Sequence, residues 1–397
     1  MLNSVDYWLW FSLKKGICNA RKIELLLQFD SPENLFHMNK KALKAAKLSR
    51  KEVRLLADKD MTETELTKER CMEVGIRILT YESSFYPERL KEIPDPPVVL
   101  YVRSKEKINL NDRICIGMVG NRYMTPYGEQ AALQISGGLA KAGVVTISGM
   151  ARGIDGASHR GTLLHGGQTV AVLGCGADVV YPPEHGGLMQ QIIENGMVVT
   201  EYPPGTPPIG KHFPVRNRLI SGLSEGVVVV EAPKKSGALI TADLALKQNR
   251  DVFAVPGDIT RKQSLGCNKL ISQGAVLVNE AEDILKEYEL LYRNILKQYE
   301  RQADKPEEAE RVPSEKPRDI LEKKTEKKQG VPLHPAYNAL SDVQKKVAGA
   351  LTIEPIHVET LSALTGLTVD TLSTELMMME IDGIVKSLPG KYFVLNV

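Results

Sequence analysis

At about 150 residues per domain, 397 residues suffice for two or three domains. The 51 basic and 49 acidic side chains give a net charge of +2, and a 43% hydrophobic content supports ordinary cores, not a disordered chain. No run approaches the ~20 apolar residues of a membrane span, and the five widely spaced cysteines lack C-x-x-C spacing, which argues against a disulfide framework or a zinc ribbon. A reducing, cytoplasmic setting is expected, and Met1–Leu13 is expected to be an amphipathic helix and not a signal peptide.

Residues 1–75 read as short helices. Ser31-Pro32-Glu33 sets an N-cap, an N1 proline and a first-turn acid in order. Lys15-Gly16-Ile17-Cys18 divides two apolar-periodic segments. Such a pair is either a helix-hairpin-helix offering amides to a DNA phosphate or a small packing module. Cys18 stands where the hairpin usually has a second glycine, which favours packing.

Residues 76–299 change character. Val98–Val102, Ile114–Val119, Val144–Ser148, Thr169–Leu173, Met197–Thr200, Val227–Val230, Val252–Val255 and Ala275–Val278 are short apolar runs, most separated by stretches long enough for a crossover helix. This alternation predicts an α/β fold, a Rossmann-like, doubly wound parallel sheet. Helical spacing from Glu280 to Tyr299 is expected to close this domain. Residues 300–332 are expected to be a flexible charged linker: 301–330 hold nine basic and eight acidic residues, three prolines and no aromatic. From 333 to 397, three helices and a hairpin about Pro389-Gly390 predict a winged helix, opened by the capping box Ser341-Asp342-Val343-Gln344.

Ligands of an open parallel sheet bind beyond the strands' carboxyl ends. There the chain places Gly120-Asn121-Arg122 with a Thr125-Pro126 helix start whose amides suit an anion. Gly149-Met150-Ala151-Arg152-Gly153-Ile154-Asp155 follows the next strand, with Asp155 positioned to cap a helix. The run Lys211-His212-Phe213-Pro214-Val215-Arg216-Asn217-Arg218 adds four cations and an aromatic. If these segments are rim loops, Arg122, Arg152, Lys211, Arg216 and Arg218 can form one cationic pocket, with Phe213 as a stacking face. His159 and His165 are expected to pack or face solvent. Neither G-x-G-x-x-G nor G-x-x-x-x-G-K-[ST] occurs at these turns, and no nucleophile–base set or metal spacing stands out. The rim suits a binder better than a catalyst.

Several long stretches resemble the DNA-processing protein A (DprA/Smf) family: Tyr86-Pro87 through Pro96-Pro97, Val119 to Arg122, Ser148 to Asp155, Phe213 to Ser224, Ser236 to Ala242, Val255-Pro256-Gly257 and Gly266 to Ile271. The resemblance implies a bacterial recombination mediator that forms a homodimer, binds and protects single-stranded DNA and helps load the RecA recombinase, as in natural transformation. It implies neither catalysis nor a cofactor or metal. Its DNA contacts map to Gly120, Arg122, Arg152, Lys211, Arg216 and Arg218, with Asn121 where serine or threonine is usual, and Gly149, Phe213 and Asn217 complete the candidate DNA site. Leu265, Leu270 and Ile271 map to the self-association face, which overlaps the one offered to RecA. The competing class is a nucleoside-monophosphate phosphoribohydrolase with P-G-G-x-G-T-x-x-E. Ser236 to Asp243 is the nearest counterpart here and lacks both the glycine cluster and the glutamate. The winged helix is expected to bind protein and not DNA, because residues 331–397 carry a net charge of −3 and the helix from Thr368 to Glu380 has no Arg, Lys, Asn or Gln.

Overall fold

Nine short strands form the central sheet: β1 (Arg77–Thr80), β2 (Val99–Arg103), β3 (Cys115–Val119), β4 (Val145–Ser148), β5 (Thr169–Val172), β6 (Met197–Thr200), β7 (Gly226–Val229), β8 (Asp251–Ala254) and β9 (Val276–Leu277). The computed structural model describes residues 2–289, 340–351, 356–381, 384–388 and 392–395. The stretch 300–332, the helical spacing past residue 289, and Pro389-Gly390 with Lys391 lie outside the described residues. Two compact units divide the chain, Met1–Ala309 and Glu310–Val397.

The strand order is β1-β2-β6-β5-β4-β3-β7-β8-β9. From β6 to β9 every pairing is parallel, and the apolar runs of β3 to β8 are buried on both faces, as expected of strands covered by helices on each side, while β9 is partly exposed. The β1–β2 and β2–β6 pairings are antiparallel, so the expected doubly wound parallel sheet carries an antiparallel edge. Only residues 104–114 link β2 to β3, and their one regular element is a 3₁₀ turn, so no helical crossover fits there. Half-buried β1, with no apolar run to announce it, escaped the sequence pattern. Chain order reverses between β3 and β7, which makes their carboxyl ends the topological switch point.

Six helices precede the sheet: α1 (Ser4–Ser12), α2 (Asn19–Phe29), α3 (Pro32–His37), α4 (Lys40–Ala45), α5 (Arg50–Ala57) and α6 (Thr62–Glu73). A capping box starts α1, with Asn3 Oδ1 accepting from the Asp6 amide at 3.1 Å and Asp6 Oδ2 from the Asn3 amide at 2.8 Å. Ser31 caps α3 at the Asn34 amide, as its sequence signature predicts. Trp8, Leu9, Trp10 and Phe11 of α1 are buried in the same core as Val98, Val99, Tyr101 and Val198.

Helices α7 (Glu88–Lys91), α8 (Pro126–Lys141), α9 (Ile154–Leu164), α10 (Gly186–Asn195), α11 (His212–Gly222), α12 (Gly237–Lys247) and α13 (Leu265–Ser272) complete the first unit as described. The second contains α14 (Asp342–Ala350), β10 (Ile356–His357), α15 (Val358–Thr365), α16 (Val369–Ile381), β11 (Val385–Leu388) and β12 (Tyr392–Leu395), with strand order β10-β12-β11. Its core holds Val347, Leu361, Leu372, Leu376 and Met379, while Met377 and Met378 are exposed. Three helices and a three-stranded antiparallel sheet make it a winged helix. Among the described residues no helix is long and apolar enough to cross a membrane.

Candidate nucleic-acid interface

A cavity of about 520 Å³ opens at the switch point, lined by the turn after β3, the start of α9, the first turns of α11 and the start of α12. Of the sequence-predicted residues, Gly120, Asn121, Arg122, Phe213, Arg216 and Asn217 line it. The Arg122 guanidinium lies 5.7 Å from the centroid of the Phe213 ring, within cation–π range. Tyr181 packs against the same residue, ring to ring with Phe213 at 5.2 Å between centroids. A planar cation and two aromatic rings therefore share one mouth of the cavity.

Backbone packing holds Arg122 there. Gly153 has φ +74°, and a Cβ on it would come within 2.2 Å of the Asn121 carbonyl and 2.7 Å of the Arg122 carbonyl. Gly120 abuts the Ile154 side chain in the same way. Asn121 closes the turn upon itself: its amide group donates to the Tyr123 carbonyl at 2.5 Å, and its Oδ1 accepts from the Tyr123 amide at 3.2 Å. Its side chain is thus a turn-former where a hydroxyl was the usual residue.

The Thr125-Pro126 helix start forms as predicted, but its anion is already present. Glu231 accepts from the Thr125 amide at 2.9 Å and from the Thr125 hydroxyl at 2.6 Å, and the carboxylate lies close against Gly128. The N-terminus of α8 is satisfied by a buried side chain of the protein itself, so it is not a vacant phosphate seat.

Residues Lys211–Arg218 are not a rim loop; the helix α11 starts at His212. Two residues apart on a helix point about 200° apart, so Arg216 and Arg218 diverge. Buried Arg216 faces the cavity floor, donating to the Val172 carbonyl and, at 2.7 Å, to the Gly149 carbonyl. Arg218 is turned away to Asp95 at 3.0 Å and Glu201 at 2.5 Å. Arg152 pairs with Glu184 and does not line the cavity, nor does Lys211. The single five-cation pocket is therefore corrected to a cavity that takes Arg122 and Arg216 from that set. Gly149 lies beneath it: a Cβ there would meet both the Arg216 guanidinium and the Asp155 carboxylate.

Asp155 is not the N-cap; Gly153 is, and Asp155 accepts from the Ala151 amide at 3.3 Å inside the first turn of α9. Burial pushes its carboxyl up, against the opposing pull of Arg216 and Arg122. His159 is a packing residue: fully buried, it meets the Thr169 hydroxyl at 2.7 Å, and burial lowers its pKa to about 3. Sequence reasoning missed Lys235 and the start of α12 as a cavity wall, although Lys234-Lys235 before the Ser236 cap was a visible signal.

Leu270 and Ile271 of α13 are half-buried against the main core, so internal packing uses much of their surface. Nearby Ile259 and Leu277 are more openly exposed.

Comparison with known proteins follows the same outline. Residues 77–289 match the family model described as DNA recombination-mediator protein A, and residues 331–391 match the DprA winged helix domain. Protein Smf of Synechocystis is 33% identical over 401 residues, covering 98% of each chain. The DNA processing protein DprA of Bacillus subtilis is 43% identical over 215 residues, 54% of this chain and 72% of that protein. The X-ray structure of DprA from Streptococcus pneumoniae superposes with a TM-score of 0.61 at 32% identity, covering 71% of this chain and 97% of that one. A sheet with its cavity at the switch point, a winged helix, and these matches along nearly the whole length place the chain in the DprA/Smf family of DNA recombination mediators.

Proposed function

We propose that this protein binds single-stranded DNA at the switch-point cavity and, as a homodimer, helps load a RecA recombinase onto it, in the cytoplasm and in a pathway such as natural transformation. The observation that carries the DNA-binding part is Arg122 set against Phe213 at the cavity mouth. An exposed arginine there is free to meet a phosphate, and an aromatic face accepts any base by stacking. Neither reads base identity, so sequence preference is weak. A single strand can splay its bases toward Phe213 and Tyr181, whereas a duplex keeps them stacked inside.

The test is fluorescence anisotropy with a labelled oligothymidylate and a duplex of equal length. Single strands bind more tightly, and Arg122→Ala and Phe213→Ala each weaken binding by at least tenfold. Equal affinity of both variants and the parent would place the site elsewhere.

The protein acts by binding and not by catalysis. Asp243, at the position nearest to the phosphoribohydrolase glutamate, pairs with Lys247 at 2.7 Å on the exposed face of α12 and does not line the cavity. Incubation with AMP should release no adenine. Self-association is assigned to the α13–β9 edge, which carries Leu265, Leu270 and Ile271 on α13 and exposed Leu277 on β9. Leu277→Glu, at a position outside the buried core clusters, should shift sedimentation toward a monomer; Leu270→Glu should do the same at a greater cost in stability.

A further inference from the structure

At the antiparallel edge of the sheet, β1 has no strand beyond it among the described residues. Tyr81 donates its amide to the Val98 carbonyl at 3.0 Å, and alternation along an antiparallel pair then turns Leu79 and Arg77 toward β2. Ile78 and Thr80 turn outward. The Thr80 carbonyl accepts from the Ser83 amide at 2.9 Å, which leaves the Ile78 amide and carbonyl and the Thr80 amide open among the described residues. A cavity of about 440 Å³ wraps this edge, with Leu79, Leu100 and Val102 on one face of the sheet and Ile76 and Ile78 on the other. Exposed Met72 and Phe85 stand on its rim.

Its charge has one sign. Lys68, Arg77 and Lys107 line the cavity, and no acidic residue does. Lys68 is engaged by Asp6 at 2.5 Å, and Arg77 by Ser104 and the Glu106 carbonyl. Lys107 is exposed and engages no partner among the described residues.

We infer that this edge is a docking site for an extended acidic-apolar peptide of a partner protein, which adds to the sheet beside β1. Open main-chain groups supply strand pairing, and the two-faced cavity takes alternate apolar side chains. The uncompensated Lys107 selects an acidic residue among them. Four residues make a short edge, which suits a reversible contact and limits indiscriminate pairing. This site is separate from the switch-point cavity and does not depend on DNA binding there.

The full-length protein is titrated into three fluorescein-labelled heptapeptides: one alternating Ile/Val with Asp/Glu, the same peptide N-methylated at alternate amides, and one alternating Ile/Val with Lys. The acidic peptide should bind at micromolar concentrations and the other two at least tenfold more weakly. Lys107→Glu should weaken the acidic peptide by about tenfold while leaving affinity for oligothymidylate unchanged. Hydrogen exchange should slow at the Ile78 and Thr80 amides when the acidic peptide is bound. Undiminished binding of the N-methylated peptide, absence of binding by the acidic one, or protection confined to other segments would overturn the assignment.

Discussion

Arg122 and Gly153 show how one functional residue depends on a silent one. The arginine was legible from its place after a strand and beside a glycine. Its support was not, because Gly153 is 31 positions away and meets Asn121 only in three dimensions. Gly153→Ala forces an L-residue to φ +74° and drives its Cβ into the Asn121 carbonyl. It should lower affinity for single strands as far as Arg122→Ala does while circular dichroism stays native, at a stability cost of about 2 kcal/mol. His159 supports a different prediction. With its pKa lowered to about 3, it is neutral in the folded protein at pH 5, whereas the unfolded chain takes up a proton below its ordinary value of 6.5. The unfolded state then binds more protons, so stability falls as pH drops through 6.5 and continues to fall toward 3. Between pH 7 and pH 5 this group removes about 2 kcal/mol. Urea midpoints should fall over that interval, and those of His159→Asn should fall less.

At the level of elements, strand positions in the parallel region were readable from apolar runs, since burial on both faces leaves a continuous hydrophobic signature. Strand β1 has no such signature because all four of its residues are half-buried. The stretch Lys211–Arg218 misled for a related reason: Pro214 and a cluster of cations resemble a loop, yet proline is tolerated in the first turn of α11. Helical geometry then separated arginines that a loop would have allowed to converge. Helix α8 illustrates what local signals leave out. Its cap and N1 proline were visible, but the carboxylate that occupies its N-terminus comes from beyond β7, more than a hundred positions on. Glu231→Ala leaves the Thr125 amide and hydroxyl without their acceptor, which should cost about 2–3 kcal/mol. The loss is measurable as a lower urea midpoint, while single-strand binding should stay near the parent's, because the main-chain carbonyl of residue 231 that holds the Asn121 amide at 2.7 Å is kept.

For the whole molecule, the N-terminal helices and the sheet share a core through Trp8, Phe11, Tyr101 and Val198. Deleting residues 1–75 should therefore expose that core and yield aggregated protein, which size-exclusion chromatography would reveal. The winged helix has a core of its own. With a net charge of −3 over 331–397 and exposed Met377 and Met378, it suits a protein partner better than a nucleic acid. Fragment 331–397 should shift neither duplex nor single-stranded probes on a gel, and a clear shift would reverse that assignment. The floor of the switch-point cavity has a quantitative consequence of its own. Arg216 is buried against two carbonyls and the Asp155 carboxylate, so its charge is already spoken for before any polyanion arrives. Among the cavity's lining cations, Arg122 and Lys235 remain to displace condensed counterions. A plot of log affinity against log salt concentration should then have a slope of only about −1.4 per protomer, because each neutralised phosphate on a single strand contributes about −0.7. A strand that runs across both members of a dimer would double that figure, so the slope reads out how many protomers share one strand.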